Sequence, residues 1–104
     1  MDEDCDCPEV EIPAGALYGE FQIVNKKGLH ARATAKFVQC AARYEADITV
    51  SRCGETVGAT SIMGVLTLGA GIGSTITIVA KGGEAQAALD ALAALIADRF
   101  GEGE

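Results

Sequence analysis

The spacing of hydrophobic residues changes near residue 30, and this change separates a predicted strand from a predicted helix. Phe21 and Ile23 alternate with the polar Gln22, and this period of two indicates a short strand in a domain that begins near Leu17. The strand ends at residues 25–28, a cluster of Asn, Lys and Gly that is typical of a turn. A strand and a turn therefore precede the first helical pattern.

The segment that begins at Ala31 has the spacing of an amphipathic helix. One face is formed by Ala31, Ala35, Val38 and Ala42, and another by Arg32, Lys36, Gln39 and Arg43. Residues 21–44 contain no Asp or Glu, so this helix has a basic face. Clustered Lys and Arg usually form a solvated helix face, although they also attract anions and acidic partners.

The rest of the chain is predicted to form a hairpin, a short helix, a strand and a longer helix. The hairpin turns at Cys53, and residues 61–68 form a short helix with Ser61 as its N-cap. Residues 75–79 are a β-branched run that is typical of a strand. The last helix ends at Gly101, and its apolar face is formed by Ala85, Ala88, Leu89, Leu92, Leu95 and Ile96.

The element order β-α-β-β-α-β-α predicts an α+β fold, an antiparallel sheet with helices on one face. The connections are too short for several parallel crossovers, which disfavours a doubly wound nucleotide-binding fold. The glycine-rich residues 69–73 follow a helix and precede a strand, the reverse of the order in dinucleotide-binding and P-loop motifs. We therefore interpret this loop as structural.

Composition and charge indicate one small domain with an acidic extension. The chain has 104 residues, 49% of them hydrophobic, and a formal net charge of -7. We interpret residues 1–16 as an acidic, flexible N-terminal extension and residues 17–104 as the folded domain. The chain has no apolar run long enough for a membrane span and no secretory signal, so we expect a cytoplasmic protein that does not bind membranes. Its acidity and few aromatic residues argue against nucleic-acid binding.

The four cysteines do not form a recognisable metal or disulfide framework. Cys5 and Cys7 have the chemistry to chelate a soft metal, but in an acidic extension we favour ordinary surface residues. Cys40 and Cys53 are interpreted as small structural residues in a reducing compartment, and no disulfide is expected. We predict no metal site.

His30 is the single histidine, and it lies where the pattern places the N-cap of the first helix. Ser, Thr, Asp or Asn usually occupies this position. The backbone N–H groups and the dipole at a helix start favour an anion such as phosphate, and a neutral imidazole is a nucleophile suited to carrying a phosphoryl group. Arg32 offers a fork of donors for the phosphate oxygens. From chemistry alone, this function and an ordinary turn histidine bonded to a backbone carbonyl are equally well supported.

Two segments of the chain resemble one known family. Residues 28–32 (Gly-Leu-His-Ala-Arg) with 35–38 (Ala-Lys-Phe-Val) are similar to the active-site segment of HPr, the histidine-containing phosphocarrier of the bacterial phosphotransferase system. Residues 60–69 (Thr-Ser-Ile-Met-Gly-Val-Leu-Thr-Leu-Gly) resemble the regulatory-serine region of the same family. The similarity extends over about residues 17–101, and it implies the family's open-faced β-sandwich of four antiparallel strands with three helices on one face.

The resemblance implies that His30 accepts a phosphoryl group on Nδ1 from enzyme I, which is charged by phosphoenolpyruvate, and passes it to an enzyme IIA-type acceptor. Arg32 matches the arginine that steadies the phosphate. The chain would then be a carrier and not a turnover enzyme, without a cofactor and expected to be monomeric. Ser61 matches the serine that an ATP-dependent kinase/phosphorylase modifies in many members. The alternative interpretation, that Ser61 is only an ordinary N-cap, is equally well supported.

The resemblance also suggests a partner-docking surface, formed by Ala31, Lys36, Ile62, Met63 and Leu66 beside the basic face. The chain departs from the family in having Ala33 where most members have proline, Thr60 before the serine, and Gly64 in the short helix. The branch, sugar uptake or nitrogen-related regulation, is left open, and Ala33 favours the regulatory one. The alternatives are a non-catalytic regulatory adaptor controlled by Ser61 and a metal carrier that uses Cys5 and Cys7.

Overall fold

The computed structural model of the protein describes residues 12–101. Its elements are β1 (Leu17–Gln22), α1 (Ala31–Ala42), β2 (Asp47–Arg52), β3 (Glu55–Gly58), α2 (Ile62–Thr67), β4 (Thr75–Lys81) and α3 (Ala85–Ala97). The strands form one sheet in the order β1-β4-β2-β3, and every neighbouring pair is antiparallel. Over the described residues, these strands and helices confirm the α+β fold that was predicted.

The sheet buries one of its faces against the helices. Val50, Ile76 and Ile78 belong to the main hydrophobic core, which also contains residues of all three helices. Side chains alternate along a strand, so the residues between them project from the opposite face. Tyr18 and Glu20 on that opposite face are exposed, as expected for an open-faced sandwich.

The face of α1 that is buried differs from the apolar face that the sequence spacing indicated, Ala31, Ala35, Val38 and Ala42. The helix buries Ala33, Thr34, Phe37, Val38 and Ala41, whereas Ala31 and Ala42 are exposed. Phe37 determines this orientation because it is fully buried and covers far more apolar area than the alanines of the predicted stripe. Only Val38 belongs to both sets of residues.

The apolar face of α3 is confirmed, with Ala85, Ala88, Leu89, Leu92 and Ile96 buried and Leu95 partly buried. The helix ends at Ala97, earlier than predicted, and a 3-10 turn, Arg99–Gly101, follows it. The turn places Phe100 in the core at 0% exposure. Within the described part of the chain, no helix has the length and apolar character needed to cross a membrane.

Candidate functional site

His30 is the N-cap residue of α1, as the sequence pattern predicts. Its backbone is extended, with φ -83° and ψ -177°, and its Nδ1 accepts a hydrogen bond from the backbone N–H of Arg32 at 3.3 Å. Its own carbonyl accepts the first helical bond, from the Thr34 N–H at 2.8 Å. The lone pair of Nδ1 is therefore directed at the helix start, and the ring remains partly exposed.

The turn before His30 is held by two buried polar side chains that the sequence analysis did not single out. Asn25, at 0% exposure, donates from Nδ2 to the Gly28 carbonyl at 2.8 Å, which closes the turn. Thr34, also buried, donates from Oγ1 to the Leu29 carbonyl at 3.2 Å. Asn is a frequent turn residue, so the sequence could have indicated that Asn25 stabilises this turn. Nothing in the sequence distinguishes Thr34 from any other threonine in a helix.

The loop of His30 is packed against residues 69–73. The Leu29 N–H donates to the Ala70 carbonyl at 2.8 Å, and the Gly73 N–H donates to the Ile23 carbonyl, also at 2.8 Å. Gly28 has a φ of +67°, and a Cβ at this position would lie 2.5 Å from the Ala70 oxygen. The glycine-rich loop therefore supports the loop of His30, in agreement with its interpretation as structural.

The basic side chains of α1 have different surroundings. Arg32 is exposed at the helix start, two residues from His30. Lys36 is half-buried, and its Nζ donates to the Phe100 carbonyl at 2.6 Å. Arg32 is therefore available to an anion at His30, while Lys36 ties α1 to the C-terminal turn.

Ser61 is the N-cap of α2, and its Oγ accepts a hydrogen bond from the Gly64 N–H at 3.1 Å. The serine is exposed, as are Ile62 and Met63 at 50% and 69%. Leu66 is half-buried. The start of α2 therefore presents two apolar side chains and a hydroxyl to solvent.

The C-terminal end of α2 is tied to the β2–β3 hairpin, a contact that the sequence did not indicate. Arg52 donates from Nη1 to the Leu68 carbonyl at 3.2 Å. Arginine is a suitable partner for the carbonyls and the negative dipole at a helix C-terminus. The hairpin, α2 and the loop of His30 thus lie at one end of the sheet.

No group of His, Cys, Asp and Glu within residues 12–101 is arranged to hold a metal ion. Cys5 and Cys7 lie outside the described residues. Cys40 is free and half-buried, and its burial raises the pKa of its thiol. Cys53 is disulfide-bonded, so the expectation that it is an unpaired structural residue is wrong. Cys53 is an exposed residue in the β2–β3 turn.

Comparisons with known proteins agree with the geometry. The profile of the family described as "PTS HPr component phosphorylation site" matches residues 18–98. The chain is 57% identical over 88 residues to phosphocarrier protein HPr of Cupriavidus necator, covering 85% of this chain and 99% of that protein. It is 45% identical over 86 residues to phosphocarrier protein NPr of Shewanella violacea, covering 83% and 94%. A crystal structure of HPr from Thermoanaerobacter tengcongensis superposes with a TM-score of 0.80 at 40% identity, covering 83% of this chain and 97% of that one.

Proposed function

Because the chain belongs to the HPr family of phosphotransferase-system phosphocarriers, we propose that His30 is the residue that carries the phosphoryl group. In this proposal, enzyme I charged by phosphoenolpyruvate is the donor, and an enzyme IIA-type protein is the acceptor. The protein acts as a stoichiometric relay in the cytoplasm, and we expect a monomer. The observation that carries the proposal is the Nδ1 lone pair of His30 at the start of α1.

The hydrogen bond at Nδ1 defines the reactive form of the ring. A nitrogen that accepts a hydrogen bond carries no proton, so a neutral His30 bears its proton on Nε2 and keeps Nδ1 as the nucleophile. In the transfer, Nδ1 forms a bond to phosphorus while the bond between phosphorus and the donor's leaving atom breaks. The bond from the Arg32 N–H, at 3.3 Å, is long, so Nδ1 can be released at little cost.

The start of α1 suits the charge that His30 would acquire. A phosphoryl group on Nδ1 would bring its oxygens to the backbone N–H groups and positive dipole end of a helix of 12 residues. The exposed Arg32 guanidinium adds a cation with parallel donors. Both contributions favour the charged form without trapping it, because the site remains open to solvent and a partner can take the group.

The start of α2 is proposed as part of the docking surface. Ile62 and Met63 are exposed apolar side chains, and Ala31 and Arg32 are exposed at the start of α1, which contacts α2. An apolar patch beside a basic residue fits a partner that presents apolar groups ringed by carboxylates. Lys36 and Leu66 are half-buried, so we propose that they support this surface from below.

Ser61 is proposed as a regulatory phosphorylation site in hosts that contain the kinase. Its hydroxyl is exposed at the first turn of α2, where a phosphate is favourable because the backbone N–H groups point towards it. The modification would therefore preserve α2 and add negative charge next to Ile62 and Met63. Its effect would fall on partner choice.

The test is incubation of the purified protein with enzyme I and phosphoenolpyruvate, followed by intact-mass analysis before and after mild acid. We expect one phosphoryl group that is lost in acid. His30→Asn is the matched variant, because asparagine is a good N-cap that keeps the helix start but has no nucleophilic ring nitrogen. Ser61→Ala is the control that keeps the adduct.

The relay is refuted if active enzyme I charges another carrier and leaves this chain unmodified, or if His30→Asn still gains the acid-labile group. Supplying the charged protein with IIA-type acceptors of the sugar and nitrogen branches then assigns the branch. We expect the nitrogen-related acceptor to be charged faster, since Ala33 replaces the usual proline. Faster charging of the sugar acceptor would overturn that assignment.

A further inference from the structure

The C-terminal turn, Arg99–Gly101, is not explained by the proposed phosphoryl transfer alone. It lies beyond residues 18–98, which match the family profile. Its Arg99 and Phe100 have φ values of 56° and 55°, in the left-handed region that L side chains rarely adopt. Backbone strain of this kind persists only where the surrounding structure imposes it. The turn is therefore held in place by contacts with the rest of the domain, which include α1.

Phe100 anchors the turn in two ways. Its side chain is fully buried and belongs to the same core cluster as Ala33 and Phe37 of α1. Its carbonyl accepts a hydrogen bond of 2.6 Å from the Nζ of Lys36, in partly buried surroundings. A short bond from an ammonium group is roughly twice as strong as one between neutral groups. One residue of the turn is thus held by its side chain in the core and by its backbone on α1.

The position of α1 depends on such a contact because two of the five residues on its buried face are alanines. Alanine buries little apolar area, so a face of this kind permits small rotations of the helix about its axis. Lys36 comes four residues after Arg32 and therefore lies on the same side of the helix, one turn away. The bond from Lys36 to the Phe100 carbonyl thus fixes the rotation of α1, and with it the direction of Arg32.

His30 joins two parts of the structure that must keep their relative positions. Its loop is attached to residues 69–73 by the bond from the Leu29 N–H to the Ala70 carbonyl. The Arg32 N–H that donates to Nδ1 moves with α1 instead. That bond, at 3.3 Å, is long, so a small rotation of α1 relative to the loop breaks it.

We propose that Lys36 and Phe100 are positioning residues, which fix α1 relative to the loop of His30 and so direct Nδ1 and Arg32 for phosphoryl transfer. This inference rests on the proposed function, because that transfer is the reaction that the two residues serve. Phe100 is buried in the core, and the Lys36 Nζ is bonded to its carbonyl. Their effect therefore falls on the rate of the transfer step and not on the binding of the partner.

The first experiment records the ring nitrogens of His30 by nitrogen NMR in the full chain, labelled at histidine and held at a pH where the ring is neutral. His30 is the single histidine, so both signals belong to it. In the wild type, we expect Nδ1 at the position of an unprotonated nitrogen, because it accepts the Arg32 N–H. Lys36→Met should move this signal towards that of a protonated nitrogen, because loss of the bond admits the second tautomer. Lys36→Arg still offers a donor to the carbonyl and should keep the wild-type signal.

The second experiment measures phosphoryl transfer from enzyme I at a temperature where every variant is folded. Lys36→Met should lower kcat at least about fivefold and leave KM within about twofold, because transfer depends on positioning. Lys36→Arg should recover most of the rate. Lys81→Met is the matched control, because Lys81 is an exposed lysine at the end of β4 that is remote from residues 69–73.

Phe100→Leu tests the same contact from the turn and keeps an apolar side chain in the core. If the two residues act as a unit, the double variant Lys36→Met/Phe100→Leu should lower kcat by less than the product of the two single effects. The proposal is overturned if Lys36→Met leaves the ring signal or kcat unchanged, or if the two effects simply multiply. It is also overturned if Lys36→Met raises KM alone, since Lys36 would then contact the partner directly. A wild type that active enzyme I does not charge refutes the proposed function, whereas the ring signals still decide whether Lys36 and Phe100 position His30.

Discussion

Replacing Gly28 by alanine tests whether contact with residues 69–73 holds the loop of His30 in place. Gly28 has a φ of +67°, a conformation that costs an L side chain about 1 to 2 kcal/mol. The new Cβ would also lie 2.5 Å from the Ala70 oxygen and 2.7 Å from the Gly71 Cα. Both neighbours are backbone atoms, which move only if the loop moves, and overpacking of this kind typically costs about 1 to 3 kcal/mol.

We therefore expect Gly28→Ala to lower the free energy of unfolding by about 2 to 5 kcal/mol. For a domain of this size, that loss lowers the Tm by about 8 °C or more, which differential scanning calorimetry measures directly. The displaced loop also shifts the hydrogen bond that the Leu29 N–H donates to the Ala70 carbonyl. Leu29 directly precedes His30 in the chain. Phosphoryl acceptance from enzyme I, measured at a temperature where the variant remains folded, should slow at least about tenfold because transfer depends on positioning.

Gly71→Ala is the matched control, because a Cβ at Gly71 meets no atom within 4 Å. It lies in the same contact between loops, so it reports the effect of an added methyl group without the clash. We expect its Tm to remain close to that of the wild type. If Gly28→Ala and Gly71→Ala unfold at the same temperature, the contact with residues 69–73 does not position the loop of His30.

Three further changes test the local structure. Ser61→Ala removes the hydrogen bond from the Gly64 N–H and should lower the free energy of unfolding, measured by thermal unfolding, by about 1 kcal/mol. Ser61→Asp should restore most of this loss. Equal stability of the wild type and both variants would show that the cap does not stabilise the protein. Asn25→Ala removes the side chain that donates to the Gly28 carbonyl and should lower the free energy of unfolding in urea by about 1 to 3 kcal/mol. An unchanged urea midpoint would contradict this expectation. Burial raises the pKa of the Cys40 thiol above its ordinary 9.0, so its alkylation by iodoacetamide should still accelerate above pH 9, and a plateau below that pH would refute the shift.

The positions of the candidate site residues in the fold were predicted from sequence where the signals are local. His30 at a helix start, Arg32 two residues later and Ser61 at the start of a short helix all follow from neighbouring residues and a 3.6-residue period. The apolar face of α1 that the spacing indicated is not the buried one, because three alanines and Val38 at helical spacing resemble a core stripe. Phe37 lay outside that stripe, and its larger area determines which face is buried.

The contacts that position His30 join residues far apart in the chain, and local sequence patterns do not predict them. Leu29 meets Ala70, and Lys36 meets the Phe100 carbonyl, which lies 64 residues away. Neither contact has a periodic signature, since each depends on where the sheet order places two loops or turns.

The sequence by itself determined the elements, their order, the histidine at a helix start and the serine at another, because hydrophobic period and capping chemistry act over a few residues. Only the tertiary structure decided which side of α1 is buried, which loop supports His30, and that the β2–β3 turn with Cys53 lies at the same end of the sheet. Those arrangements depend on the β1-β4-β2-β3 pairing, in which strands distant in sequence become neighbours through backbone hydrogen bonds that any residue except proline can donate.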